Sequence, residues 1–289
     1  MRWEEGEQEG EVEDRRSLSP AVAGGGAVGV VVLLLAYLLT GDPRQAQQIA
    51  QQVGQAAPQQ APAGKAEPIH DRMLAFSQKI LGYTNEAWTG MFSEIYNTRY
   101  EPPRLVLFAD RVDSEGCGVA PSAVGPFYCP VSRKLFVDPT FYDELERKLG
   151  GSKADFSKAY VIAHEVGHHV QNLLGYQNRL ARYRQREGEN AGIRLELQAD
   201  YLAGVCWHYV DAKHHVVETG DVDSAIRTAK AIGDDRLTQR AGQWVSPERF
   251  NHGTAAQRLK YFMQGFRTGD ASKAALDQFF NADVRPLDL

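Results

Sequence analysis

The sequence is poor in sulfur and carries no excess of positive charge. Its 289 residues include three cysteines, four methionines, and 32 lysines and arginines against 37 aspartates and glutamates. Three cysteines cannot staple a chain of this length, so its stability has to come from a hydrophobic core, for which 43% hydrophobic residues are enough. The net charge of -5 gathers in the first twenty positions, where Glu4, Glu5, Glu7, Glu9, Glu11, Glu13 and Asp14 outnumber Arg2, Arg15 and Arg16. With no basic stripe elsewhere, nucleic acid is not an expected partner. Internal repeats are absent as well.

One long hydrophobic run is present. Ala21 to Thr40, AVAGGGAVGVVVLLLAYLLT, is uncharged throughout and has the length that crosses a hydrocarbon core of about 30 Å as a helix. The segment before it is long and acidic, unlike the short basic start of a signal peptide. The expected organisation is therefore an acidic cytoplasmic tail (1–20), a transmembrane anchor (21–40), a linker (41–68) and a folded domain (69–289). The linker reading rests on a Gln, Ala and Pro composition that buries too little surface to offset chain entropy. Arg15 and Arg16 before the run, against Arg44 after it, put the N-terminus inside and the domain outside a cytoplasmic membrane crossed once.

Cys117 and Cys129 bracket CGVAPSAVGPFYC. They are either a disulfide closing a Gly- and Pro-rich loop in an oxidising compartment or two free thiols. Cys206 sits in an apolar helical stretch and reads as a small core residue. The expected fold class is mainly α with a small β-sheet. Strands are expected at 104–110 and 133–138, bounded by Pro, Gly and Asp. The spacing predicts helices at 69–100 in two pieces broken near Gly82, and at 139–150, 153–174, 190–212, 221–243 and 254–280.

The stretch YVIAHEVGHHVQNLLG, residues 160 to 175, carries the chemistry. Ser152 or Asp155 is the expected cap of its helix and Gly175 its end. His164 and His168 are four apart, so both imidazoles leave one helical face and can share a zinc ion. Glu165 sits beside them as a general base does in H-E-x-x-H hydrolases. His169 is rotated by about 100° from His168 and is left out of the ligand set. A catalytic zinc needs a third ligand and an open position. Glu196 supplies that ligand from RLELQADYLAGVCWHYV, and Asp200, one turn on, accepts the outer N–H of a ligating histidine. The bland alternative for this pair is a solvated acidic face, which the apolar, Ala-rich surroundings disfavour. His252, in SPERFNHGTAAQRL, is either a donor to a developing oxyanion or a surface or capping histidine. His214 and His215 read as a solvated helix end.

In the order of its motifs the chain resembles a family of bacterial, membrane-anchored neutral zinc metallopeptidases. The matching segments are RWEEGEQEGEVEDRR, GCGVAPSAVGPFYCP, KLFVD, FYDEL, YVIAHEVGHHVQNLLG, ELQADYLAGVCW and AIGDDRLTQRAGQWVSPERFNHGTAAQRLKYFMQGF. The resemblance implies a zincin-like (gluzincin) metallopeptidase domain behind a single transmembrane helix. One Zn²⁺ per chain would lie on His164, His168 and Glu196, with Glu165 as base. It also makes His252 an active-site residue, with Arg258 as a neighbour. The expected function is membrane-anchored hydrolysis of peptide or protein substrates; the alternative is a tethered, zinc-stabilised binding module without turnover. KLFVD or the loop between Cys117 and Cys129 is the expected place for a substrate to add as a strand.

Overall fold

The structure, a computed structural model, describes residues 1–6, 9–17, 71–231 and 252–289. Met1–Arg15 and Ile69–Leu289 form one compact unit, and Arg16–Pro68 form a second. In order, the described elements are β1 (Val12–Asp14), α1 (Arg72–Tyr96), β2 (Arg104–Leu107), β3 (Arg111–Asp113), β4 (Val119–Pro121), β5 (Phe127–Cys129) and β6 (Lys134–Val137). Then follow α2 (Thr140–Leu149), α3 (Asp155–Leu173), α4 (Tyr176–Glu187), α5 (Ala191–His214), α6 (Asp221–Ala231), α7 (Ala255–Thr268) and α8 (Lys273–Asp277). The fold is mainly helical, with a four-stranded sheet in the order β1-β2-β6-β5 and a β3-β4 pair.

The first fifteen residues are not a tail. β1 pairs in parallel with β2, Val12 opposite Leu105 and Asp14 opposite Leu107. Trp3 is buried, meets the Phe76 ring edge-on at 5.2 Å, and donates its indole N–H to Asp155 at the start of α3. Glu4, Glu5, Glu9 and Glu11 are exposed, and Glu13 pairs with Arg15 and Glu9 with Lys79.

This placement corrects the single transmembrane helix and the localisation drawn from it. Among the described residues no helix is long and apolar enough to cross a membrane. Residues 21–40 themselves lie outside the described residues. The expected topology also fails on a positive observation. One crossing at 21–40 would put residues 12–14 and 104–107 on opposite sides of the bilayer, yet they share a hydrogen-bonded sheet.

Smaller differences follow from tertiary contacts. α1 runs unbroken through Gly82, which is buried with Leu81 and Tyr83; a lone glycine costs a helix only about 1 kcal/mol and packing overrides it. The region 254–280 is two helices, because Gly269 adopts the left-handed conformation and Ser272 caps α8. α4, polar along much of its length, carries no expected element at all. The part of the 221–243 helix beyond Ala231 lies outside the described residues. α3 begins without a side-chain cap, its N-cap being Ala154; Ser152 accepts from the Ala154 N–H instead. Gly175 does follow its end, at φ 76°.

Three helices set the site. α5 and α7 cross at backbone contact, since a Cβ on Gly204 would lie 2.1 Å from the Phe262 carbonyl and one on Gly265 2.1 Å from that of Tyr201. α3 approaches α5 nearly as closely at Gly167, where a Cβ would meet the Ala199 carbonyl at 3.0 Å. β6 is interior, bonded to β2 on one side and β5 on the other. It offers no free edge, so KLFVD is not a place for an added strand. β5 has one partner among the described residues, and the Cys117–Cys129 disulfide anchors its end.

Candidate metal centre

His164 and His168 project from one face of α3 toward Glu196 on α5. His164 Nε2 lies 3.4 Å from one Glu196 oxygen and His168 Nε2 lies 3.4 Å from the other. Two donors bound tetrahedrally to one ion at about 2.0–2.1 Å would stand about 3.3 Å apart, which is close to the distance of each imidazole nitrogen from its nearer Glu196 oxygen. Among the described residues this is the group of His, Cys, Asp and Glu whose donor atoms all lie within 4.8 Å of one another.

Each imidazole is held by its outer nitrogen, which leaves Nε2 free to ligate. His164 Nδ1 donates to Asp200 Oδ1 at 2.8 Å. His168 Nδ1 donates to Gln171 Oε1 at 2.9 Å, and Gln171 in turn donates to the Leu195 carbonyl, next to Glu196. Such partners orient a ligand and strengthen it as a donor. Asp200 is fully buried and accepts more than the histidine. Tyr160 donates to it at 2.5 Å and Arg258 grips both its oxygens, at 2.8 and 3.0 Å. The close crossing of α5 and α7 makes that grip possible.

The electrostatics favour a cation. Burial opposes charge on His164, yet Asp200 and Glu196 outweigh it and raise its pKa to about 10. Burial likewise opposes charge on Glu196, but His168, His164 and His252 hold its carboxyl well below the usual carboxylate range. A buried imidazole that draws positive charge, as His164 does beside these carboxylates, marks a site where a divalent ion can replace a proton. Glu165 behaves in the opposite way. Burial raises its carboxyl above the ordinary value, so it holds a proton more readily than a surface glutamate.

His164, Glu165, His168 and Glu196 line a cavity of about 400 Å³ together with Val124, Phe127, Tyr128, Phe141 and Val161. His252 is exposed at this cavity, which Arg258 also lines. Cys206 is buried in the core, where burial pushes its thiol up, and behaves as an apolar residue. His214 is half-buried and pairs with Glu86 at 2.7 Å. Sequence reasoning missed Tyr160 and Gln171. Both lie at helical spacing from a ligand, Tyr160 four before His164 and Gln171 three after His168, which was the available signal.

The H-E-x-x-H…E donor set of this mainly helical domain faces an open cavity and could hold a metal ion. The chain belongs to the family described as "Putative neutral zinc metallopeptidase", which matches residues 1–279. It is 38% identical over 284 residues to the uncharacterized protein YpfJ of Escherichia coli (strain K12), covering 94% of this chain and 97% of that one. It is 42% identical over 195 residues to the uncharacterized protein Rv2575 of Mycobacterium tuberculosis (strain ATCC 25618 / H37Rv), covering 64% of this chain and 65% of that one. No solved structure matches the chain.

Proposed function

We propose that this chain is a zinc-dependent endopeptidase in which His164, His168 and Glu196 hold one metal ion and Glu165 is the general base. The observation that carries the reading is the pair of 3.4 Å spacings between the imidazole nitrogens and Glu196, with a buried carboxyl beside them at an open cavity. Zinc in such a donor set supplies Lewis acidity toward a carbonyl and makes water easier to deprotonate. Glu165 takes that proton and returns it to the leaving amine, a task suited to a carboxyl whose affinity for protons burial has raised. Asp200, itself fixed by Tyr160 and Arg258, keeps the His164 Nε2 lone pair directed at the metal. Gln171 does the same for His168. His252, exposed at the cavity, is the donor for the oxyanion. An extended substrate pairs with the edge of β5 that has no strand partner among the described residues, and Phe127 and Tyr128 of β5 line the cavity.

The test uses the purified full chain and unfolded protein substrates, with and without a chelator. Wild type should cleave and lose activity on chelation, while Glu165→Gln should bind zinc one-to-one and cleave at least a hundredfold more slowly (about 10²–10⁴ is typical of a lost acid–base group). Equal cleavage by both proteins would sink the proposal.

A further inference from the structure

His169 is the third histidine of the motif, and the metal chemistry does not use it. It is fully buried, and both its nitrogens are engaged. Nε2 lies 2.7 Å from the Glu101 carbonyl, which only accepts, so Nε2 carries the hydrogen. Nδ1 is then an acceptor and takes the hydroxyl hydrogen of Tyr128, 3.0 Å away. The Tyr128 oxygen accepts in turn from Asn172 Nδ2 at 2.9 Å, and the same amide donates to the Pro130 carbonyl at 3.2 Å. Every donor and acceptor in this chain has one consistent role. The rings of Tyr100 and Tyr128 meet the imidazole edge-on at 5.7 and 5.4 Å and lock its plane.

What this chain joins is specific. Tyr128 is the central residue of β5, the edge strand, and lines the cavity of the metal centre. His169 follows the ligand His168 directly, so about 100° of helical rotation separates a side chain aimed at the metal from one aimed at the strand. We infer that His169 is a positioning residue: with Asn172 it clamps β5 to the helix that carries the metal ligands and so sets where an extended substrate lies relative to them. This rests on the peptidase reading and on substrate pairing at β5.

The clamp makes a split prediction about binding and chemistry. Asparagine in place of histidine keeps an acceptor near the Nδ1 position, whereas glutamine keeps a donor near Nε2 and loses the contact with Tyr128. Holoenzyme variants His169→Gln, His169→Asn and Tyr128→Phe are compared on a long extended peptide and on a short reporter that does not reach β5. His169→Gln and Tyr128→Phe should raise KM for the long peptide about tenfold, with kcat within about twofold and the zinc content unchanged; loss of binding shared by ground and transition states has this signature. The short reporter should be unaffected by His169→Gln, and His169→Asn should restore most of the long-peptide KM. Amide hydrogen exchange over residues 127–129 should quicken in the glutamine and phenylalanine variants and stay near wild type in the asparagine variant. An unchanged long-peptide KM, or an equal rise on both substrates, overturns the inference. If wild type cleaves neither substrate, the peptidase reading fails by itself, and unchanged exchange over 127–129 then overturns the clamp separately.

Discussion

Asp200 and Arg258 form a buried, bidentate ion pair behind His164. Its role is orientation more than stability, because burying two charges costs about as much as their attraction returns. Asp200→Asn keeps the shape but weakens the acceptor for the His164 N–H, so zinc affinity should fall by about 10–100-fold. Competition with a chelator measures this, and unchanged affinity would show that His164 needs no such partner. In the proposed reaction His252 would act at a different stage. Its replacement by alanine should lower kcat by about 100-fold with zinc content intact, as expected for a lost oxyanion donor. A variant with normal kcat would return His252 to a surface role. Both residues were legible in the sequence as candidates, Asp200 from its i, i+4 spacing with Glu196. Tyr160 and Gln171 were not singled out, because tyrosine and glutamine on an apolar helix look like ordinary packing until their partners on α5 are known.

At the scale of elements, the decisive contact is the crossing of α5 and α7. In an isolated helix, Gly265→Ala would gain about 1 kcal/mol. Here the added Cβ meets the Tyr201 carbonyl, so the variant should instead lose about 1–3 kcal/mol, the usual cost of overpacking. Chemical denaturation gives the sign directly, and a stabilised variant would mean that the helices do not touch there. The same crossing brings Arg258 to Asp200. The sheet tells a complementary story. β6 reads clearly in the sequence, but it is interior, and the strand at the end of the described sheet is β5, a three-residue element too short to be recognised by alternation.

For the whole molecule, the N-terminal segment is what the domain gains from outside its contiguous sequence. Trp3, Arg72 and Lys158 converge on Asp155, the first residue of α3. Burial opposes charge there, but the Trp3 indole N–H and the two cations more than offset it and hold the carboxyl below its ordinary value of 3.8. A group whose folded pKa is lowered stabilises the fold above its unfolded pKa and stops doing so as pH falls through the folded one. Asp155→Asn should therefore be less stable than wild type near pH 7, and the difference should shrink as the pH drops below about 4. Denaturation curves across that range test it; a gap that stays constant or widens on acidification would show that the charge of Asp155 is not what holds Trp3 in place.

The sequence by itself determined which side chains form the candidate donor group, His164, His168 and Glu196, with Glu165 on the same helix, and the largely helical character of the domain. Those features depend on spacings of three and four residues along one helix, which helical geometry converts directly into a shared face. It could not determine that residues 12–14 join a strand near residue 105, that β5 rather than β6 ends the described sheet, or which side chains and carbonyls Tyr160, Gln171 and His169 meet. Those are decided by pairings between segments far apart in the chain and by backbone approach at Gly167, Gly204 and Gly265. Only the packed tertiary structure brings such partners together, because no local periodicity encodes which distant surface a residue will meet.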